Sequence, residues 1–272
     1  MNHIYSIIFG LLGACLGSFS TMLIWRLHFE EPGIVTGRSK CPQCQKTLSP
    51  ISLVPILSWI FQRGKCRNCE KKIPAFYPLI EITFAITFYI FAQKFFVPDV
   101  FSFDFLFLII SVFLILILFF YDLKFMEVDR RISFSAILLA IVWTGYKVYN
   151  GADYSLYLIG GIVGFLFYFI QFWLTKYFMG KAGVGQGDFE LGALMGILLG
   201  WKLLLGSLFV AYILGTIIAI PILIFQKKFA HKIPRISGKL ALPMGAFLMP
   251  SLLLFLYNGQ SLIDWYWGLL MF

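Results

Sequence analysis

The sequence predicts an all-α polytopic membrane protein, with about eight transmembrane helices and one small loop domain between the first two. Three observations predict it. Hydrophobic residues make up 60% of the 272 and charged residues 13%, against roughly half and a quarter in soluble chains. The apolar residues gather into runs of about 20, the length that crosses a bilayer as a helix. The positive charges fall almost wholly into alternate loops.

The first span covers about residues 4–25. Met1-Asn2-His3 carries no Lys or Arg, and the first positive charge, Arg26, follows the apolar run. A cleaved secretory signal has the opposite order, so this is a retained anchor with its N-terminus outside. Later spans fall at 76–96, 104–121, 132–148, 156–175, 189–201, 203–225 and 240–258. The 189–201 segment is short and glycine-rich, as for a half-length or steeply packed helix. Residues 265–272 are too few to span and belong at the interface, where Trp is favoured. Gly160, Gly161 and Gly164 mark close helix packing. Cys15, alone in an apolar stretch, reads as a small core residue. No internal repeat is evident.

Alternation places loops 26–75, 122–131, 176–188 and 226–239 on one side. They hold all 22 Lys and Arg except Lys94, Lys147 and Lys202. That side is cytoplasmic, and both termini then lie outside. The net charge of +9 therefore reflects membrane orientation rather than nucleic-acid binding, and the basic residues face anionic lipid of the bilayer. The chain divides into a first helix (1–25), a cytoplasmic loop domain (26–75) and a helical membrane domain (76–272).

The loop contains Cys41-Pro-Gln-Cys44, 21 further residues, and Cys66-Arg-Asn-Cys69. Two CxxC knuckles can set four thiolates tetrahedrally around one zinc. Two disulfides are the alternative, disfavoured in a reducing compartment. A redox CxxC needs a βαβ setting that is not visible. Four thiolates close the coordination shell, so this zinc is structural. The stretch 53–61 between the knuckles is apolar but too short to span, and rests on the membrane face or on the bundle.

Acidic side chains within a bilayer are expensive and mark functional positions. Asp122 ends the very apolar run 105–121. Asp188 follows Gly185-Gln186-Gly187 and opens the next apolar segment. Both sit at the cytoplasmic edge on different helices, where two carboxylates can share a proton and bind one water, one as base and one as acid. Gly185 and Gly187 allow unusual backbone angles and close approach of a substrate strand. Taken alone, Asp188 also reads as a helix N-cap. Glu81, about six residues into a span, is either a ligand for a substrate amino group or methyl donor, or a satisfied buried carboxyl bonded to another helix. His3, His28 and His231 match no HExxH and no GxSxG occurs, which argues against a metalloprotease.

These residues resemble the type IV prepilin peptidases, the leader peptidase/N-methyltransferases, over nearly the whole chain. Gly17-Ser18-Phe19 followed by Arg26-Leu27 is similar to the first-helix motif, with Ser20-Thr21-Met22 in place of Leu-Asn-Val. Pro55-Ile56-Leu57-Ser58-Trp59, Gly64-Lys65-Cys66-Arg67 and Tyr77-Pro78-Leu79-Ile80-Glu81 match closely. Asp122 to Asp129 resembles the D-x6-D stretch, whose first Asp is catalytic. Gly185-Gln186-Gly187-Asp188 resembles the GxGD motif, whose Asp is the second catalytic residue. Pro243-Met244-Gly245 resembles a final Pro-Phe-Gly. Glu190 stands where a Lys is common, and Glu127-Val128 replaces Ile-Pro. The resemblance implies a bacterial inner-membrane enzyme that cuts prepilins or type II secretion pseudopilins after a Gly at the cytoplasmic face. It also implies N-methylation of the new terminus from S-adenosylmethionine, for which no glycine-rich turn after a strand speaks independently.

Three other readings compete. A proton-coupled transporter would hold its acids at the midplane of repeated halves. A non-catalytic zinc-loop scaffold would not need both aspartates. An archaellin-type peptidase shares the dyad but commonly lacks the cysteine loop.

Overall fold

The computed structural model describes residues 2–31, 37–97, 102–224 and 242–270, with the paired segments 235–236 and 239–240. Its helices are α1 (Asn2–His28), α2 (Leu57–Phe61), α3 (Phe76–Phe95), α4 (Phe103–Phe125), α5 (Arg130–Tyr149), α6 (Tyr154–Met179), α7 (Gly187–Ile224) and α8 (Gly245–Leu270). β1 (Arg235–Ile236) and β2 (Lys239–Leu240) form a two-residue antiparallel pair. Among the described residues, seven helices are long and apolar enough to cross a membrane. Lys227, Lys228 and Lys232, counted above in a cytoplasmic loop, lie outside the described residues.

Packing draws two compact units, Met1–Ile117 and Leu118–Phe272, whereas the sequence boundaries at 25/26 and 75/76 follow the membrane surface. In the first unit, α1 runs antiparallel to α3 on a stripe of glycines. A Cβ on Gly13 would lie 2.6 Å from the Phe84 carbonyl oxygen, and one on Gly17 would lie 2.9 Å from the Glu81 Cα. Such small residues let two backbones approach where no hydrophobic force drives them together in lipid. Ile80, Phe84 and Phe88 fill the space beneath. Because α1 buries little beyond this stripe, Cys15 is exposed on its outer face and not in the core, as the apolar context had implied.

The second unit is organised by α7. A straight helix of its 38 residues would be about 57 Å long, almost twice a bilayer core of about 30 Å. It breaks at Gly200 (φ 73, ψ 163), backbone that only glycine adopts without strain. Up to the break, α7 runs antiparallel to α6. Gly192 lies against Gly164, Gly196 against Gly160, and a Cβ on Gly200 would lie 2.7 Å from Leu156. Beyond the break the direction reverses. The Trp201 nitrogen still adjoins Gly160, but Tyr212 reaches Gln171, with its hydroxyl donating to Oε1 at 2.7 Å. Residues 187–199 and 201–224 are thus the two arms of a helical hairpin, matching the expected segments 189–201 and 203–225.

The remaining ends follow local chemistry. Asp129 caps α5 by accepting from the Arg131 N–H, and Asp153 caps α6 by accepting from that of Ser155. Gly180, in the left-handed region, closes α6 as C-terminal glycines commonly do. α8 starts at Gly245 rather than 240, since Pro243 disfavours helical backbone at the residue before it. It continues past 258, through non-helical backbone at Asn258, to Leu270. The segment expected as separate from 265 onward is therefore the end of α8.

Candidate active site and metal centre

Asp122 lies in the last turn of α4 and Asp188 in the first turn of α7. Both are buried, at 4% and 6% exposure, and the Asp188 charge is felt at Asp122. Each carboxylate is held by a backbone donor through the same oxygen. The Ala246 N–H donates to Asp122 Oδ2 at 2.8 Å, and the Gly185 N–H donates to Asp188 Oδ2 at 2.8 Å. The Asp122 donor belongs to the first turn of α8, whose orphan N–H groups and positive dipole end favour an anion there. Asp188 is no simple N-cap, because its carboxylate reaches back to a donor upstream of the helix.

Glycines set the approach of these elements. A Cβ on Gly245 would sit 2.9 Å from Asp122 Oδ2 and 2.9 Å from Leu191 Cδ1, three residues past Asp188. The end of α4, the start of α7 and the start of α8 therefore meet at one point. A Cβ on Gly187 would sit 2.6 Å from Val128, so that glycine lets the segment after Asp122 pack on the α7 entry. Gly185 has no such crowding, and its role is the N–H it offers.

Asp129 and Glu190, two other acids near this face, are tied into the fold. Asp129 carries an ion pair with Arg131 at 2.6 Å. Burial works against its charge, but the Arg131 guanidinium and N–H outweigh it and hold Asp129 below the usual carboxylate range. Glu190 accepts from the Ser133 hydroxyl and faces the Arg130 guanidinium at 3.8 Å. It ties α5 to α7.

The cysteine loop folds as two copies of one knuckle. In the first, the Cys41 N–H donates to Lys46 O and the Gln45 N–H to Cys41 O. In the second, the Cys66 N–H donates to Lys71 O and the Glu70 N–H to Cys66 O. Gln45 and Glu70 both have positive φ, 57 and 55. This is a short internal repeat at a spacing of 25 residues, with Lys40 and Lys46 matched by Lys65 and Lys71 as well as the cysteines. Sulfurs of Cys41, Cys44, Cys66 and Cys69 lie within 4.8 Å of one another, so the cluster could hold one metal ion, and the donor set suits zinc. N–H groups of Asn68 and Cys69 hold the Cys66 thiol down to about 7. The Lys71 N–H favours the Cys69 thiolate, but burial and the neighbouring sulfurs outweigh it and push that thiol up to about 11. Four crowded sulfurs resist full ionisation unless a cation joins them.

Glu81 belongs to neither cluster. Its Oε2 accepts from the Ile56 N–H at 2.6 Å, and Ser18 also bonds to it. Ile56 has φ 62 and ψ −54, and the Leu57 N–H donates to Pro55 O. That is a γ-turn of the rare, strained kind, here centred on a β-branched residue. The carboxyl is thus bonded both by the loop and by Ser18 of α1. The turn carries exposed Ile51, Leu57, Ile60 and Phe61. Trp59 stacks under Gly64 (φ 67), which has no room for a Cβ, and Trp59 Nε1 donates to Ile73 O at 3.2 Å.

Sequence reasoning missed the Ala246, Gly185 and Ile56 donors, since backbone N–H groups leave no residue signature. The glycine of Pro243-Met244-Gly245 was the available pointer to the first.

Residues 11–95 match the bacterial peptidase A24 N-terminal domain, and residues 108–220 match the type IV leader peptidase family. A prepilin leader peptidase/N-methyltransferase of Bacillus subtilis (strain 168) is 31% identical over 264 residues, 96% of this chain and 97% of the relative. One from Legionella pneumophila is 28% identical over 293 residues, covering 96% and 94%. One from Aeromonas salmonicida (strain A449) is 27% identical over 240 residues, covering 87% and 77%. No solved structure matches at a significant level. Matched along almost its full length, and with a buried aspartate pair and a four-cysteine cluster in the matched regions, the chain belongs to the type IV leader peptidase family.

Proposed function

We propose that this chain cleaves the leader peptide of type IV prepilins or type II secretion pseudopilins, with Asp122 and Asp188 as catalytic residues. The observation that carries the reading is the pair itself. Two buried carboxylates on different helices each spend one oxygen on a fixed backbone donor, which leaves the other oxygen of each to bind a water.

In the proposed reaction one carboxylate is ionised and the other protonated. The ionised one takes a proton from the water as its oxygen bonds to the scissile carbonyl carbon. The protonated one gives its proton to the carbonyl oxygen. Collapse of the tetrahedral intermediate breaks the C–N bond, and the departing amine takes up the proton first removed from water. Fixed N–H donors keep both carboxylates from rotating away, and proximity of this kind supplies much of a barrier reduction.

The same protein then N-methylates the new terminus, with S-adenosylmethionine as donor. Support for this half is the name shared by the relatives, and no residue here is assigned to it. Cys41, Cys44, Cys66 and Cys69 would hold zinc in a closed, structural site. Glu81 would keep the loop domain, 26–75, on the membrane domain's rim through its bond to Ile56. By the positive-inside rule, loop and dyad face the cytoplasm of a bacterial inner membrane, with both termini outside.

The test is cleavage of a full-length prepilin in detergent, followed by mass spectrometry. Asp122→Asn and Asp188→Asn should each lower the rate by at least about 100-fold while staying folded. A mass gain of one methylene on adding S-adenosylmethionine would establish methylation. Asparagine variants that cut like wild type would remove the aspartyl reading.

A further inference from the structure

The α6–α7 interface advances in steps of four on both helices, in opposite directions. Its pairs are Leu156 with Gly200, Gly160 with Gly196, and Gly164 with Gly192. The next pair in that register is Tyr168 with Asp188. Tyr168 occupies the position accordingly. Its ring lies on Gly192, where a Cβ would sit 2.6 Å from Cδ2, and it is fully buried at 0% exposure. Its hydroxyl is the one buried side-chain polar atom, among the described residues, with no hydrogen-bond partner. Its polar neighbours are Tyr212 and Asp188; the Tyr212 hydroxyl donates to Gln171 Oε1, and its oxygen offers the Tyr168 hydroxyl a weak acceptor short of a full hydrogen bond. A buried hydroxyl so poorly satisfied is costly, and phenylalanine would fill the same space without that cost. Groups that are retained against stability are often retained for function.

We propose that Tyr168 is a positioning residue of the aspartate site, whose hydroxyl donates to the Asp188 carboxylate during turnover. Oδ2 of Asp188 is held by Gly185, so the phenol donates to one lone pair of Oδ1 and the other is left for the water. This gives Asp188 a second donor beside the Gly185 N–H, as Asp122 already has the Ala246 and Gly245 N–H groups. The inference rests on the proposed aspartyl reading.

The test compares the full-length chain with Tyr168→Phe, Asp122→Asn and Asp188→Asn in detergent, measuring kcat and KM for a prepilin substrate and Tm for each. A charge-assisted hydrogen bond of ordinary strength predicts that Tyr168→Phe loses about 10- to 100-fold in kcat. KM should stay within about twofold and Tm should be equal or higher. If kcat of Tyr168→Phe matches wild type while both asparagine variants are dead, Tyr168 is packing only. A fall in kcat accompanied by a fall in Tm also overturns the proposal, since ring packing and not the hydroxyl would be at fault. If the asparagine variants remain active, the aspartyl reading falls first.

Discussion

At the scale of single residues, the site is held by atoms that are missing as much as by those present. Gly245 has no Cβ, and that space is taken by Asp122 Oδ2 on one side and Leu191 on the other. Leu191 can rotate, but the carboxylate is fixed by the Ala246 N–H at 2.8 Å and would have to leave its donor. Gly245→Ala should therefore lower kcat by about 10- to 100-fold, as a displacement of a catalytic group by a fraction of an ångström to 1 Å does. Its Tm should move only a few degrees, because the strain is local. Rate measurements on the folded variant check this, and an unchanged kcat would mean that the Asp122 carboxylate is not held where its function needs it. Glu81 is a second case of a side chain spent on backbone. Burying its carboxylate is tolerable because the Ile56 N–H and Ser18 receive it, and the strained turn at Ile56 is stable because Glu81 selects it.

At the scale of elements, the hairpin in α7 decides which residues share a level. Without reversal at Gly200, Tyr212 would lie on the order of 30 Å from the level of Asp188, at 1.5 Å per residue. With it, Tyr212 returns to the depth of Gln171 and Tyr168. The backbone at Gly200 (φ 73, ψ 163) costs an L-residue about 1–3 kcal/mol. A Cβ there would also meet Leu156 at 2.7 Å. Gly200→Ala should thus lose at least about 1 kcal/mol of stability, seen as a lower Tm in detergent, with partial loss of cleavage as the first arm shifts. An alanine variant as stable as wild type would show that the turn is made in some other way. Asp129 works at the same scale. Its value in the folded chain is depressed, so its contribution is complete above the unfolded carboxylate value of about 3.9. That contribution is lost only as pH falls through the lower folded value, and at neutral pH it caps α5 in full.

At the scale of the whole molecule, the cysteine cluster joins two chain segments that are 25 residues apart and have little else to hold them. The loop buries few apolar side chains beyond its cysteines, so a metal ion held by them would be its chief source of folding energy. Cys41→Ser with Cys66→Ser, or prolonged chelation, should release about one zinc per chain and open the Lys- and Arg-rich loop to trypsin. The helical bundle should remain by circular dichroism. Retention of protease resistance without metal would show that the loop folds without it.

Composition, hydropathy and charge determined the helical membrane fold, because lipid leaves a backbone few other choices. Spacing determined the four-cysteine cluster, because a tetrahedral ion needs four ligands brought in by two tight turns. The two aspartates were legible as well, because carboxylates are rare at such apolar positions. What surrounds them was decided only by tertiary structure. The donors at Ala246, Gly185 and Ile56 are main-chain groups identical in every residue. The level of Tyr168 relative to Asp188 depends on a register set by glycines, and the level of Tyr212 depends on a reversal at one of them. A sequence records which residues are small, but only the packed helices show what comes to fill the space.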